Sequence, residues 1–401
     1  MDNNGQDRAM FSLLATAAAR FRDLPIDDAL SDFHHPSELD EKLLYRQASY
    51  HKVIQDVYSQ LDTPLCSLLS EKLRKAIAQR NLLEQSAKLM LAGYWQRVSR
   101  LLSDNGIQAM VMKGPASSLQ FYGNASVRGF TDLDILVDAP DLAVVIPIIE
   151  QSGYHNKDDS FAHAPKWFIQ KTHHLVFTRP DSPFRIEVHN EMFDGTRDPD
   201  YVTGKLFERK VMLQWNDTAL PTLCASDHAL FVISHGTHHG WILLHWLVDV
   251  AAILRVKDPN FHEELSRKLH SSKLDRQFAL ACTLCQSVFP VRIPFEYEQL
   301  LSSCRTPSAY HLAYSKKHLM SGIQSKQTWM TIFLFTYRYQ MPLACSFREK
   351  IDLAFKLWKV APTDAQALKL PGWLMPIHLL LRPFFVMKRR LSRRIAARKH
   401  T

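Results

Sequence analysis

Between residues 41 and 103 the apolar positions recur every three or four residues: Leu65, Leu68, Leu69, Leu73, Ile77, Leu82, Leu83, Leu89 and Leu91 run through Glu, Lys, Arg and Gln. This is the period of an amphipathic helix, so the N-terminal quarter is expected to be mostly helical, with Thr63-Pro64 as a helix start. The pattern breaks at Asp104-Asn105-Gly106. Beyond it, 107–112 predicts a short buried strand, 115–121 a helix, 133–137 a second apolar strand, and 141–152 a helix stopped by Gly153. Residues 173–178 and 184–189 alternate on either side of Arg179-Pro180-Asp181-Ser182-Pro183, which predicts a hairpin. After Ser226, a suitable N-cap, the helical period returns over 241–254, 261–269, 278–289, 327–339 and 348–360. Strands alternating with helices and closed by a hairpin build a small mixed sheet. The expected class is α+β: a helical region 1–104, a mixed-sheet core 105–225, a C-terminal helical domain 226–369 and a tail 370–401.

Composition narrows what such a chain can do. Of 401 residues 46% are apolar and 22% charged, enough to pack domains and too little charge for a disordered protein. The net charge is +9, and eight of those charges sit in Arg382, Lys388, Arg389, Arg390, Arg393, Arg394, Arg398 and Lys399, leaving the body nearly neutral. A nucleic-acid partner is disfavoured, because a groove-shaped basic face would need charge spread over the body. Six scattered cysteines and the polar start MDNNGQDRAM point to a reducing cytoplasm. Cys282 and Cys285 fall in a helical run without a second pair, and are expected to be packed core residues and no zinc site. No stretch holds about 20 uninterrupted apolar residues, so no membrane span is expected.

The chemistry concentrates around Lys113-Gly114, Tyr122, Arg128 and Asp132-Leu133-Asp134-Ile135-Leu136-Val137. Asp132 and Asp134 are two apart at a strand mouth, so both carboxylates face one side of the sheet. Two ionised acids side by side repel unless a cation lies between them, and hard oxygen ligands suit Mg²⁺ or Mn²⁺. Lys113-Gly114 ends one strand and opens a helix, where backbone N–H groups favour phosphate. Arg128 could fork onto phosphate or fix Asp132. On the alternating run 184–189, Arg185, Glu187 and His189 share a face, so Glu187 on a neighbouring strand would complete a three-carboxylate cluster.

This ordered set, K-G, Tyr, Arg, D-x-D, an E-x-H strand, and later His235-x-x-His238-His239 with Trp246-Leu247-Val248-Asp249, resembles the uncharacterised nucleotidyltransferases of the DNA polymerase beta superfamily. The resemblance covers about residues 106–254. It implies a small mixed-sheet nucleotidyltransferase core, with Asp132, Asp134 and Glu187 as catalytic metal ligands for two Mg²⁺ (or Mn²⁺) ions. Lys113, Gly114, Tyr122, Arg128 and His189 are expected to serve the nucleotide, with a nucleoside triphosphate as substrate. The acceptor is left open: a small molecule, a glycan precursor or a protein. The wider superfamily places Gly-Ser at the turn and usually Asp as third acid, where this chain has Lys113-Gly114 and Glu187. A rival expectation is a nucleotide-binding or membrane-docked scaffold that keeps the fold without turnover.

His235 and His239, four apart, fit a zinc pair, the end of a helix lining the cleft, or packing. Asp249, a polar residue in an apolar helix, predicts a buried hydrogen bond to a His or Arg. His173, His174 and His189 divide between structural positions and the rim of the site. In the tail, Phe384, Met387, Leu391 and Ile395 fall at helical spacing among the basic residues. That fits a peripheral contact with an anionic inner-membrane face, an exposed face of a packed helix, or RNA. If the membrane reading holds, each Lys or Arg adds about 1 kcal/mol near an anionic leaflet. Truncation after Pro383 should then abolish co-sedimentation with phosphatidylserine vesicles at low salt. Full-length protein that ignores such vesicles would exclude that reading.

Overall fold

The computed structural model describes residues 3–24, 40–62, 69–130, 132–157, 174–193, 199–304, 307–322, 329–344 and 347–355. Thr63-Pro64, Leu65, Leu68, His173, the last residues of the predicted helix 348–360 and the basic tail lie outside them.

Among the described residues, α1 (Asn3–Phe21), α2 (Glu41–Tyr50), α3 (Ile54–Tyr58) and the long α4 (Glu71–Asp104) precede the sheet. The hydroxyl of Ser70 accepts from Leu73 N (3.2 Å) to start α4, and Gly106, at φ 71°, ends it where the sequence pattern breaks. The core then runs β1 (Ala109–Val111), α5 (Pro115–Tyr122), β2 (Asp132–Val137), α6 (Leu142–Gln151), β3 (His155–Asn156), β4 (His174–Thr178), β5 (Arg185–His189), α7 (Thr203–Glu208), β6 (Val211–Trp215) and β7 (Thr218–Thr222). Helices α8 (Ala225–His238), α9 (Leu244–Leu254), α10 (Pro259–Ser271) and α11 (Asp275–Gln286) follow, then further helices to Phe355. The class is α+β, with helical flanks around a mixed sheet.

The seven strands lie in the order β3-β4-β5-β2-β1-β7-β6, with β2–β5 and β1–β7 parallel and the other pairs antiparallel. The expected hairpin is β4–β5. The β6–β7 hairpin, turning at Asn216 in the left-handed region, is an addition that the apolar pattern does not show. Two helix starts also differ from expectation. Cys224, not Ser226, is the N-cap of α8, and the Ser226 hydroxyl instead donates to Glu264 (2.9 Å). Helix α9 begins at Leu244 and not at 241, because Gly240 and Trp241 both turn left-handed there.

Strand alternation sorts the sheet into two faces. Val111, Leu133, Ile135, Val137, Ile186 and Val188 pack with the second half of α4 and with α6. Met110, Met112 and Leu136 point the other way, into a core shared by α1, α2 and α8 to α11. Helices α1 to α3 and α8 to α11, separated in sequence by the sheet, thus merge into one layer in space, while the second half of α4 lies on the other face. Cys282 and Cys285 are buried in that layer as free thiols, and burial pushes the Cys285 thiol up to about 12.

A buried polar chain ties this layer to the sheet. Arg22, after α1, donates from Nε to Asp56 Oδ1 (2.8 Å) and from Nη1 to the Tyr122 hydroxyl (3.3 Å). Tyr122 donates to Asp249 Oδ1 (2.8 Å), and Arg128 Nε donates to Asp249 Oδ2 (2.8 Å). The Asp249 partner expected from sequence is therefore Arg128, joined by Tyr122. Asp249→Ala should cost about 3–5 kcal/mol in urea denaturation, because it strands the Arg128 guanidinium. Adding Arg128→Met should recover much of that loss. A double variant as unstable as the sum of its single variants would show that the pairing is not the cause.

Candidate active site

The site grows from register. On β2, Asp132 and Asp134 share the face of Leu136, so both acids turn toward the merged helical layer. Strand β5 runs parallel alongside, pairing Asp132 with Arg185, Asp134 with Glu187 and Leu136 with His189. Five polar side chains, Asp132, Asp134, Arg185, Glu187 and His189, thus continue an apolar face, on strands whose opposite face is core.

Asp134 is fully buried. Its Oδ1 lies 2.6 Å from Lys113 Nζ and 3.0 Å from His189 Nε2, whereas its Oδ2 has no hydrogen-bond partner. Burial opposes its ionisation, but Lys113 and His189 outweigh burial and hold this carboxyl well below the usual range. Asp132 follows the same balance: burial raises it, and Lys52, Lys113 and Arg185 bring it below its ordinary value. Arg185 Nη2 reaches Asp132 Oδ2 (3.2 Å) and lies 3.6 Å from Glu187 Oε1. Glu187 behaves oppositely. Burial and then the neighbouring Asp134 push its carboxyl up to about 7. Burial would lower the Lys113 ammonium, yet the three acids raise it, so Lys113 is a fixed cation and a poor nucleophile.

Local structure explains why Lys113 stands there. Met112 alone separates it from the end of β1, and Gly114 then turns at φ 60° as the N-cap of α5. A Cβ on Gly114 would come within 3.2 Å of the Phe130 ring and 3.3 Å of the Asp132 carbonyl. Glycine therefore permits both the turn and the close approach of β2.

The structure brings Lys113, Gly114, Asp132, Asp134, Glu187 and His189 together. Arg128 and Tyr122 are placed elsewhere: both bond Asp249, so Arg128 does not fix Asp132. Lys52 and Arg185 are the site cations that the motif reading missed. Arg185 was visible as a neighbour of Glu187 in the alternating strand. Lys52, whose charge acts on Asp132 and whose carbonyl packs against Gly129, where a Cβ would meet it at 2.8 Å, carried no motif signal.

The histidines of α8 form an aromatic stack. His235 lies 4.5 Å from His239, which stacks on Trp246 (5.5 Å, 28°), and Lys113 Nζ sits 5.6 Å from the centre of the Phe231 ring on the same helix. Burial, followed by the charge of Lys113, keeps His235 neutral. Among the described residues, the group of three side chains able to share a cation is Asp134, Glu187 and His189, with one ligand atom from each within 4.8 Å of the others.

Acids on parallel neighbouring strands of a mixed sheet, with a Lys-Gly turn beside them, define the class: a nucleotidyltransferase fold. Residues 37–290 match the family described as uncharacterised nucleotidyltransferase, and the chain belongs to that family. Neither a curated protein nor a solved structure matches it.

The raised Glu187 carboxyl carries a pH signature. A raised native value means that the protonated form is favoured by folding, so its contribution is complete below about 4.5 and is lost as pH rises through about 7. In chelator, Glu187→Gln should melt about 2 °C or more above wild type at pH 8, with the gap closing at pH 4.5. Asp134 loses its own contribution only at lower pH, outside this window. A gap independent of pH would show that Glu187 is not held in this state.

Proposed function

We propose that this protein is a cation-dependent nucleotidyltransferase that moves a nucleotidyl group from a nucleoside triphosphate to an acceptor. The carrying observation is Asp134. A buried carboxylate with one oxygen on Lys113 and His189 and the other without a partner, in register with Glu187, fits a site for a hard divalent cation. Asp132, Asp134 and Glu187 would hold Mg²⁺ or Mn²⁺, which when bound supplies charge for the attacking and leaving oxygens.

The residues of the chain do the rest. Lys113 holds a permanent positive charge where the phosphates would lie, and the bare Gly114 turn lets backbone approach them. Arg185 steadies Asp132 and Glu187. The helical layer closes over this face and reduces water access. The rival reading, a nucleotide sensor or scaffold, draws on the fact that Lys113 and Arg185 already supply counter-charge. It requires nucleotide binding without transfer in wild type.

For location, we assign the cytoplasm from the scattered cysteines, with the basic tail docking on an anionic membrane face. Among the described residues no helix is long and apolar enough to cross a membrane.

The test follows label from α-labelled triphosphates into cell-extract acceptors, beside calorimetry with a non-hydrolysable triphosphate. Asp134→Asn should lose both transfer and cation-dependent nucleotide binding. Glu187→Gln should keep nucleotide affinity within a few-fold while turnover falls by orders of magnitude. Wild-type protein that binds the triphosphate but labels nothing would favour the sensor. Unchanged transfer in both variants would remove the carboxylates from the reaction.

A further inference from the structure

The sheet puts an imidazole among the three acids, at a position for which the resemblance implies only a role toward the nucleotide. His189 follows Glu187 by two residues on β5, so it shares the face of the acids. Its Nε2 lies 3.0 Å from Asp134 Oδ1 and 3.8 Å from Glu187 Oε2. The side chain is 6% exposed, and its ring stacks on that of His174 (5.3 Å, 25°) from the paired strand β4. Packing thus fixes the imidazole before any ligand arrives.

Ligand atoms about 2.0–2.2 Å from one ion lie within about 4.4 Å of each other. Ligand atoms of Asp134, Glu187 and His189 all lie within 4.8 Å of one another, so at most a small adjustment brings them inside that limit. Asp132 is not in this group. Its Oδ2 is held by Arg185, and Lys52 also acts on it. Meanwhile Asp134 Oδ2 is available without displacing Lys113 from Oδ1.

We propose that His189 is a direct ligand of the divalent cation together with Asp134 and Glu187, and that this nitrogen-containing donor set selects Mn²⁺ over Mg²⁺. The inference rests on the cation-dependent reading above and deepens it by naming a ligand and a cation class. Its chemical basis is softness. Mg²⁺ prefers an all-oxygen shell and gives up water reluctantly, whereas imidazole suits transition ions, and Mn²⁺ accepts carboxylate and imidazole together. His189 Nε2 must then exchange its hydrogen bond to Asp134 for the ion, with its ring proton on Nδ1. Besides coordination, the one change is the transfer of the ring proton from Nε2, where it is shared with the Asp134 carboxylate, to Nδ1.

The experiment is pulsed electron paramagnetic resonance on the full chain with Mn²⁺, alone and with a non-hydrolysable triphosphate. Wild type should show modulation from a directly bound ¹⁴N nucleus. Growth on ¹⁵N-histidine should convert that signal to the ¹⁵N pattern, which needs no variant and separates protein imidazole from nucleobase nitrogen. His189→Gln should still bind Mn²⁺, at least about tenfold more weakly, without the nitrogen signal. Competition should show Mg²⁺ displacing Mn²⁺ about tenfold more readily from His189→Gln than from wild type.

Bound Mn²⁺ that is lost in Asp134→Asn but shows no histidine nitrogen would overturn the His189 assignment and leave the carboxylate site standing. A nitrogen signal unchanged in His189→Gln would also overturn it, pointing to another histidine. Wild-type protein that binds no Mn²⁺ with or without the triphosphate would overturn both this inference and the cation-dependent reading.

Discussion

The fold around the site depends on one ion pair, Lys113 with Asp134. A carboxylate removed from water costs several kcal/mol unless a charge partner and hydrogen bonds replace its hydration. Asp134 has that partner at 2.6 Å, contributed by Lys113, two residues past the end of β1. The pair therefore joins the ends of two adjacent strands and fixes where α5 starts, because Gly114 must turn within reach of the Asp132 carbonyl. Removing Lys113 would leave more than a gap: it would leave an uncompensated buried acid at the centre of the sheet.

Register carries this local constraint outward. Because side chains alternate along a strand, a slip of one residue between β2 and β5 would send Glu187 into the core and Ile186 toward the acids. Such a slip is blocked on the other face, where Leu133, Ile135, Ile186 and Val188 are all buried together. The apolar half of the strands thus fixes the polar half, and the cluster is positioned by packing that it does not touch. The chain of bonds from Asp56 through Arg22, Tyr122 and Asp249 to Arg128 does a similar job for the layer above. It holds helices from both ends of the sequence against the loop that leads into β2.

What could be read from sequence divides along physical lines. Period and breakers located α4, β1, α5, β2, α6 and the β4–β5 hairpin, because each is set by local alternation and by Gly or Pro. The pairing of Glu187 with Asp134 could be anticipated, since both lie on faces that alternation defines. Arg128 and Tyr122 could not be placed that way. Their partner Asp249 is more than a hundred residues distant, and a cation near a phosphate site looks the same in sequence as one bracing a helix. Lys52 shows the limit most clearly, because it lies some eighty residues from Asp132 in sequence, between two helices, and belongs to no side-chain pattern. The merging of the two helical regions was equally hidden, since an amphipathic period tells which face is buried and not against what.

Charge balance connects the metal-free site to its proposed work. Three acids face Lys113, Arg185 and Lys52, so the cluster approaches neutrality without any ion, and its counter-charges are tethered. The balance is uneven, however. Asp134 and Asp132 hold the compensated positions, and Glu187 is left with a carboxyl raised to about 7. A divalent cation entering alone would draw the proton from Glu187 and still leave excess positive charge in a poorly hydrated place, which is unfavourable. A triphosphate entering alone would meet the acids. Together they cancel, so on the proposed reading cation and nucleotide each favour the binding of the other. That reciprocity follows from linkage through a shared electrostatic site, in which the tethered lysine compensates the buried Asp134 whether or not a ligand is bound.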